Sequence, residues 1–420
     1  MSARPAPVRI HDLAVPRYSD EVRAILDFME AAGSQLTLEP SELMAAARVE
    51  TGLESFGPED FVERLAVLCR AMREEGGFNG AGVLQQHVLL VGLLKNRLLI
   101  EDLVRRHSEI LEERITAPII ICGLPRTGTT HLHNLMSADP ALRSLPYWES
   151  LEPVLAESEQ PAPGEPDPRL ERTAEALSFL NTALPYFNRM HEMTVEHTHE
   201  EIQLLAIDFS TMLFETTAPM PAWRDAYLSR DQRPTYAYLL KVLKVLQWLR
   251  GGTRWVLKTP QHLEQFPALV DTFPDATFVV THRDPVSVTA SMVTMIAYTA
   301  RLTRDRVDLG AMGDYWSNRL ERMLRRCADE RDVLPADRTI DMHFDEFMAD
   351  DLAMVARVYD LAGQPLDDRS RASMASFVAA HPRGRHGAVT YDLGQFGLDA
   401  GERRRALTFY TERFGVTAEA

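Results

Sequence analysis

Ile119-Ile120-Ile121-Cys122-Gly123-Leu124-Pro125-Arg126-Thr127-Gly128-Thr129-Thr130-His131 is the stretch on which the reading of the fold turns. Its apolar beginning has the character of a short buried strand, and His131 to Ser137 reads as the start of a helix. Between them, Gly123, four residues and then Gly128-Thr129-Thr130 keep the spacing of a phosphate-binding P-loop, in which backbone N–H groups and a helix N-terminus face an anion. The lysine that follows the second glycine of an ordinary loop is absent. Thr129 stands in its place, and Arg126 supplies a cation two residues before Gly128. The loop therefore predicts a seat for a phosphate that carries no γ group and recruits no metal.

Outward from the loop, the spacing of apolar residues divides the chain. From Ser19 to Leu111 the pattern is helical, with Val22, Ile25, Leu26 and Met29, then Phe61, Leu65 and Leu68, then Leu90, Leu93, Leu94 and Leu98 at three-and-four spacing. Turn signals at Gly33, Gly57-Pro58 and Gly76-Gly77 separate these helices, which predicts a helical segment or cap over 1–115 and an α/β domain over 116–420. Within the second part, Trp255 to Leu257 and Ala276 to Thr281 are short runs of buried-strand type around a helix over Gln265 to Thr272, and Thr339 to Met342 suits another strand. Leu170 to Leu213 and Tyr236 to Leu249 read as helices, and Pro153 to Pro168 as an exposed loop. The fold class is α/β: a P-loop-like, doubly wound parallel sheet flanked by helices, with ligands beyond the carboxyl ends of the strands.

Composition narrows the partners. Of 420 residues, 45% are hydrophobic and 25% charged, as in an ordinary globule, and the net charge is −16. That balance argues against nucleic acid or an anionic membrane as the general partner, so an anionic ligand has to be met by locally gathered Arg and Lys. Cys69, Cys122 and Cys327 lie far apart without metal-ligand spacing, which fits a reduced, cytoplasmic setting. Met1 to Pro16 has no apolar signal region, and the apolar run His87 to Ile100 is broken by Lys95 and Arg97, so no membrane span is expected. Assembly into a homo-oligomer is left open.

Two further motifs begin at strand ends. His282-Arg283-Asp284-Pro285 follows the strand Thr277 to Thr281, with Ser291 eight residues beyond Arg283; a guanidinium and a hydroxyl so placed can converge on one compact anion. Lys258-Thr259-Pro260-Gln261-His262 follows Trp255-Val256-Leu257 and puts an ammonium and an imidazole beside the loop.

Together these motifs resemble the sulfotransferase superfamily, which uses 3′-phosphoadenosine 5′-phosphosulfate (PAPS) as sulfuryl donor, over roughly Ile119 to Leu398. The resemblance implies that Pro125, Arg126, Thr127, Gly128, Thr129 and Thr130 bind the 5′-phosphosulfate, and that Arg283 and Ser291 bind the 3′-phosphate. It also implies that Arg383-Gly384-Arg385-His386-Gly387 is similar to the basic-glycine loop that closes over that phosphate. Lys258 and His262 resemble the family's charge-stabilising lysine and its base, although two residues are inserted between them relative to the animal cytosolic enzymes. The Lys-Thr-Pro-x-His-Leu wording is closer to the bacterial branch. His131 stands where the family commonly has an adenine-packing tryptophan, so adenine packing is unassigned.

The base has a rival. Glu196-His197-Thr198-His199-Glu200-Glu201 precedes the apolar run from Ile202, and Glu200, with His199 and Glu201 as further candidates, can take the catalytic role given to His262. The same segment's His197, His199 and Glu201 lack a matched distant ligand pair, so zinc is not expected. Arg403-Arg404-Arg405 reads as a solvated helix face. The expectation is transfer of a sulfuryl group from PAPS to a hydroxyl or amine without a metal, leaving adenosine 3′,5′-bisphosphate (PAP). A P-loop kinase or NTPase and a non-catalytic nucleotide-binding protein are the alternatives. Leu184-Pro185-Tyr186-Phe187 and the apolar amino-terminal helices favour a small hydrophobic or amphiphilic acceptor.

Overall fold

The structure, a computed structural model, describes residues 5–419; residues 1–4 of the amino-terminal stretch read above, and residue 420, lie outside the described residues. Four parallel strands form one sheet: β1 (Ile119–Cys122), β2 (Val256–Lys258), β3 (Thr277–His282) and β4 (Thr339–His343). Their order is β2-β1-β3-β4, with Ile120 opposite Leu257 on one side and Phe278 on the other, and Val280 opposite Asp341. β1, β2 and β3 are buried throughout, which is why they appear in the sequence as unbroken apolar runs rather than alternating ones.

Alternate strand residues enter different cores. Ile120, Cys122, Leu257, Phe278 and Val280 join a large core that continues into the amino-terminal helices. Ile119, Ile121, Val256, Val279 and Met342 face a smaller one built with Leu132, Leu135 and Met136 and with the helix Asp351–Ala362. Both faces are therefore covered, as expected of parallel strands joined by helical crossovers.

The amino-terminal part folds as α1 (Asp20–Gly33), α2 (Pro40–Thr51), α3 (Phe61–Glu74) and α4 (Gly80–Arg106). Local sequence sets their limits. Ser19 accepts a hydrogen bond from the Val22 amide at 3.3 Å and Asn79 one from Gly82 at 2.9 Å, each satisfying an orphan donor of a first turn, while α2 begins with Pro40 and stops at the left-handed Gly52. Leu65, Leu68, Leu90, Leu94 and Leu98 share the same apolar core as the sheet residues Ile120 and Val280.

One expected helix is broken. The run from Leu170 to Leu213 gives a helix Pro168–Ala183, then irregular chain, then one short helix Ile202–Ala206. Leu184 precedes Pro185 and is driven out of helical geometry (φ −127°, ψ 67°), because proline's ring crowds the residue before it and proline has no N–H to offer. The chain between them is pinned instead to 146–148, with the amides of Tyr147 and Trp148 donating to the carbonyls of His197 and Val195 at 2.8 and 3.3 Å. This break provides one wall of the site.

Candidate active site

The loop after β1 turns into α5 (Thr129–Ser137), whose first N–H groups have no partner within the helix. Side chains lock it. Thr127 Oγ1 donates to the Leu124 carbonyl at 2.7 Å and shares a 2.6 Å hydrogen bond with Thr281 Oγ1 at the end of β3. A Cβ on Gly123 would lie 1.8 Å from that Thr281 oxygen, so glycine alone fits there. Gly128 has φ +88°, and Arg126 takes φ +71°, a backbone region that side-chain-bearing residues enter rarely and at a cost of about 1–3 kcal/mol.

That strain directs Arg126. Its Nε donates to Ser291 Oγ at 3.0 Å, a second guanidinium nitrogen donates to the Met190 carbonyl, and its own carbonyl accepts from Arg283 Nη1 at 2.6 Å. Arg126 thus joins Arg283 and Ser291, which do not touch one another directly. Arg283 lies 4.0 Å over the Phe344 ring, and its remaining fork grips a carboxylate: Nε and Nη2 donate to the two oxygens of Glu419 at 2.6 and 2.8 Å. The tail carrying Glu419 is tied down by its amide, which donates to Asp284 at 2.9 Å, and by Arg404, which donates to its carbonyl at 3.0 Å. Arg404 also pairs with Asp284 and Arg403 with Glu321, so two of the three arginines expected on a solvated face hold structure together.

Some of these groups, though not Thr127, Ser291 or Glu419, border one cavity of about 880 Å³. Arg126, Gly128, Thr129, Thr130 and Arg283 line it, as do Arg383, Gly384 and Arg385. Arg383 donates to Asp351 at 3.0 Å, and Asp351 also meets His131 Nε2 at 2.8 Å. Burial raises the Asp351 pKa, but the hydrogen bonds from His131 and Arg383 outweigh it and hold the carboxyl below its usual range. Arg385 pairs with Glu192. The position that lacks tryptophan is therefore an imidazole tied to a carboxylate and tilted against Phe347 at 5.4 Å.

Behind the wall lies the third motif. Lys258, at the end of β2, is buried and ion-paired with Glu200, which does line the cavity. His262 occupies a short 3₁₀ turn, Pro260–Glu264, and is wholly buried. One ring nitrogen shares a 2.8 Å hydrogen bond with the Tyr236 hydroxyl and the other contacts Glu201, whose second oxygen accepts from the Lys258 amide at 2.9 Å. With both nitrogens engaged and no face on the cavity, His262 does not meet an acceptor there. It braces the strand end instead, and Glu201 is its structural partner.

In the broken helix, sequence reasoning weighed His197, His199, Glu200 and Glu201 but passed over His191. His191, His197 and His199 all line the cavity, with ring centroids 5.5 Å apart for the first pair and 6.0 Å for the second. Burial and the Lys258 charge push His197 down to about 4, while His191 and His199 are held well below the usual imidazole range, chiefly by burial. Only the helix break at Leu184-Pro185 signalled in the sequence that this segment was free to line a pocket. The cavity also has an apolar lining, with Ile202, Met212, Leu213, Met292, Met295 and Ile296. Among the described residues, no group of three or more His, Cys, Asp or Glu is placed to hold a metal ion. No helix among them is long and apolar enough to cross a membrane, and the three cysteines are unpaired and buried.

A parallel sheet with an anion loop after its central strand, and a second arginine from the neighbouring strand end, defines a P-loop-like group-transfer architecture. The family model described as the sulfotransferase family matches residues 118–368, and the chain belongs to that family. Among solved structures, it is similar to sulfotransferase STF9 from Mycobacterium avium at a TM-score of 0.80 and 25% identity, over 90% of this chain and 97% of that one. It is also similar to sulfotransferase STF1 from Mycobacterium tuberculosis H37Rv, at 0.76 and 28% over 87% and 97%. Omega-hydroxy-beta-dihydromenaquinone-9 sulfotransferase Stf3 of Mycobacterium bovis is 23% identical over 265 residues, which are 59% of this chain and 62% of that protein.

Proposed function

We propose that this chain transfers a sulfuryl group from PAPS to the hydroxyl of a small apolar or amphiphilic acceptor. The observation that carries the reading is the Arg283 fork. Beside a phosphate loop without the P-loop lysine, it holds a carboxylate in the bidentate manner suited to a phosphate, with Arg126 joining it to Ser291.

The residues suit the donor. The α5 N-terminus and the loop amides of Gly128, Thr129 and Thr130 offer donors to a 5′-phosphate, and Arg126 adds a cation beside them. Arg283 and Ser291 would take the 3′-phosphate, and Arg383, Gly384 and Arg385, which line the same cavity as Arg283, would close over it. A glycine at 128 leaves room between the loop and Phe344, which a Cβ would approach to 3.2 Å. Sulfuryl transfer resembles phosphoryl transfer in having little covalent work for the protein, so position and charge supply most of the rate. Lys258, buried behind the wall and ion-paired with Glu200, which lines the cavity, would be the cation for the oxygen that leaves.

The apolar wall from Ile202 to Ile296 favours an acceptor with a hydrocarbon body over a charged sugar. Stf3 is named as a sulfotransferase of omega-hydroxy-beta-dihydromenaquinone-9, which is an acceptor of this chemical class. The test is a thermal-shift comparison of PAP with Mg·ATP, followed by an acceptor screen with labelled PAPS read by mass. PAP without metal should raise the melting temperature and an apolar alcohol should gain the label; stabilisation by Mg·ATP with no response to PAP overturns the proposal.

A further inference from the structure

We propose that His191 is the catalytic base, the group that takes the proton from the acceptor hydroxyl. The inference rests on the sulfuryl-transfer reading above. His191 lies on the cavity wall immediately after Met190, whose carbonyl accepts from Arg126, so the backbone that steadies the loop arginine also places this imidazole. Its ring meets its neighbours edge-on, with Phe187 at 6.1 Å and His197 at 5.5 Å, and makes no hydrogen bond or ion pair among the described residues. A ring held by packing, with nitrogens uncommitted in an open cavity, is what a base needs.

The other candidates are placed less well. His262 has both nitrogens engaged in the core. Glu200 is committed to Lys258. His199 leans on Tyr147 at 4.7 Å, and its Nδ1 is buried without a partner. Like His197 and His199, His191 is held below the usual imidazole range, and Arg126 is among the charges that oppose its protonation. Burial is the largest cause, followed by His197, Lys258 and Arg126, and together they keep the ring neutral at pH 7. Donor anions beside Arg126 and Lys258 offset two of those charges, so the base strengthens as the donor binds.

The step balances. The acceptor oxygen forms a bond to sulfur while the bond from sulfur to the bridging oxygen of PAPS breaks. That bond's electron pair stays on the 5′-phosphate of PAP, the hydroxyl proton moves to the free ring nitrogen of His191, and solvent in the cavity later removes it.

His191→Gln and His191→Ala test the assignment. PAP release from PAPS is followed with water as the acceptor and with phenols of graded acidity. Both variants should bind PAP as the wild type does, lose about 10²–10⁴-fold in kcat, and lose least with the most acidic phenols, which arrive already ionised. Added imidazole should restore part of the His191→Ala rate. An equal loss across the phenol series without imidazole rescue, or no loss with water and phenols alike, overturns the base assignment while leaving sulfuryl transfer standing. A wild type that neither binds PAP nor releases it from PAPS overturns the functional reading instead.

Discussion

Replacing Glu419 by Gln should tighten PAP binding, because the native carboxylate occupies the fork assigned to the 3′-phosphate. The contact is bidentate at 2.6 and 2.8 Å, yet the side chains of Arg283 and Glu419 remain 21% and 35% exposed, so solvent screens the pair. Exposed ion pairs contribute about 0.2–1 kcal/mol, and a charge-assisted fork lies toward the upper end of that range. Removing the competing charge should therefore improve the PAP dissociation constant about two- to fivefold, since 1.4 kcal/mol corresponds to about tenfold. The amide anchor to Asp284 and the Arg404 contact to the carbonyl do not involve the carboxylate, so the substitution isolates charge from tail position. Titration calorimetry at two salt concentrations is the assay. The gain should shrink at high salt, and adenosine 5′-phosphosulfate, which lacks the 3′-phosphate, should bind both proteins alike. Unchanged or weaker PAP binding by Glu419→Gln refutes the idea that the tail and the phosphate compete for Arg283.

Other outcomes follow from the same geometry. Arg283→Ala should weaken PAP about ten- to a hundredfold and adenosine 5′-phosphosulfate much less, as read by calorimetry. Lys258→Met should lower kcat while leaving the PAP-induced thermal shift nearly intact, and Glu200→Gln should lower kcat less, since it removes only the partner of that lysine. His262→Ala should lower the melting temperature, because it strips a buried partner from Glu201, a loss that costs about 1–3 kcal/mol; full stability in this variant would contradict the bracing role. Acid should destabilise the fold through His197. Its folded pKa near 4 lies below the unfolded value near 6.5, so the unfolded chain binds more protons between those values. Stability is then intact above about pH 6.5 and falls toward pH 4, each such proton contributing about 1.4 kcal/mol per pH unit. Denaturant melts at pH 7 and pH 5 measure this, and His197→Gln should flatten the slope.

Much of this was legible along the chain because it is local. The strand, Gly-rich loop and helix over 119–137 are set by apolar continuity, by the conformations open to Gly123 and Gly128, and by a helix N-terminus, all of which act within a few residues. The parallel strands at 256 and 277 announce themselves in the same way, since burial on both faces forces continuous apolar runs, whereas the strand at 339 is only partly buried and its Thr-Ile-Asp-Met-His run is mixed. What tertiary structure alone decided concerns groups far apart in sequence. Whether a histidine near a lysine faces substrate or core depends on neighbours such as Tyr236 and Glu201, and these close around His262. Glu419 reaches Arg283 across 136 positions, and no spacing rule carries that contact. The helical period of Leu170 to Leu213 was real, but one proline ended it and long-range hydrogen bonds to 146–148 bent the remainder into the cavity wall that holds His191. Periodicity reports which face of a segment is apolar; what that face is packed against, and which polar groups are left free beside it, is determined only when the whole chain has closed.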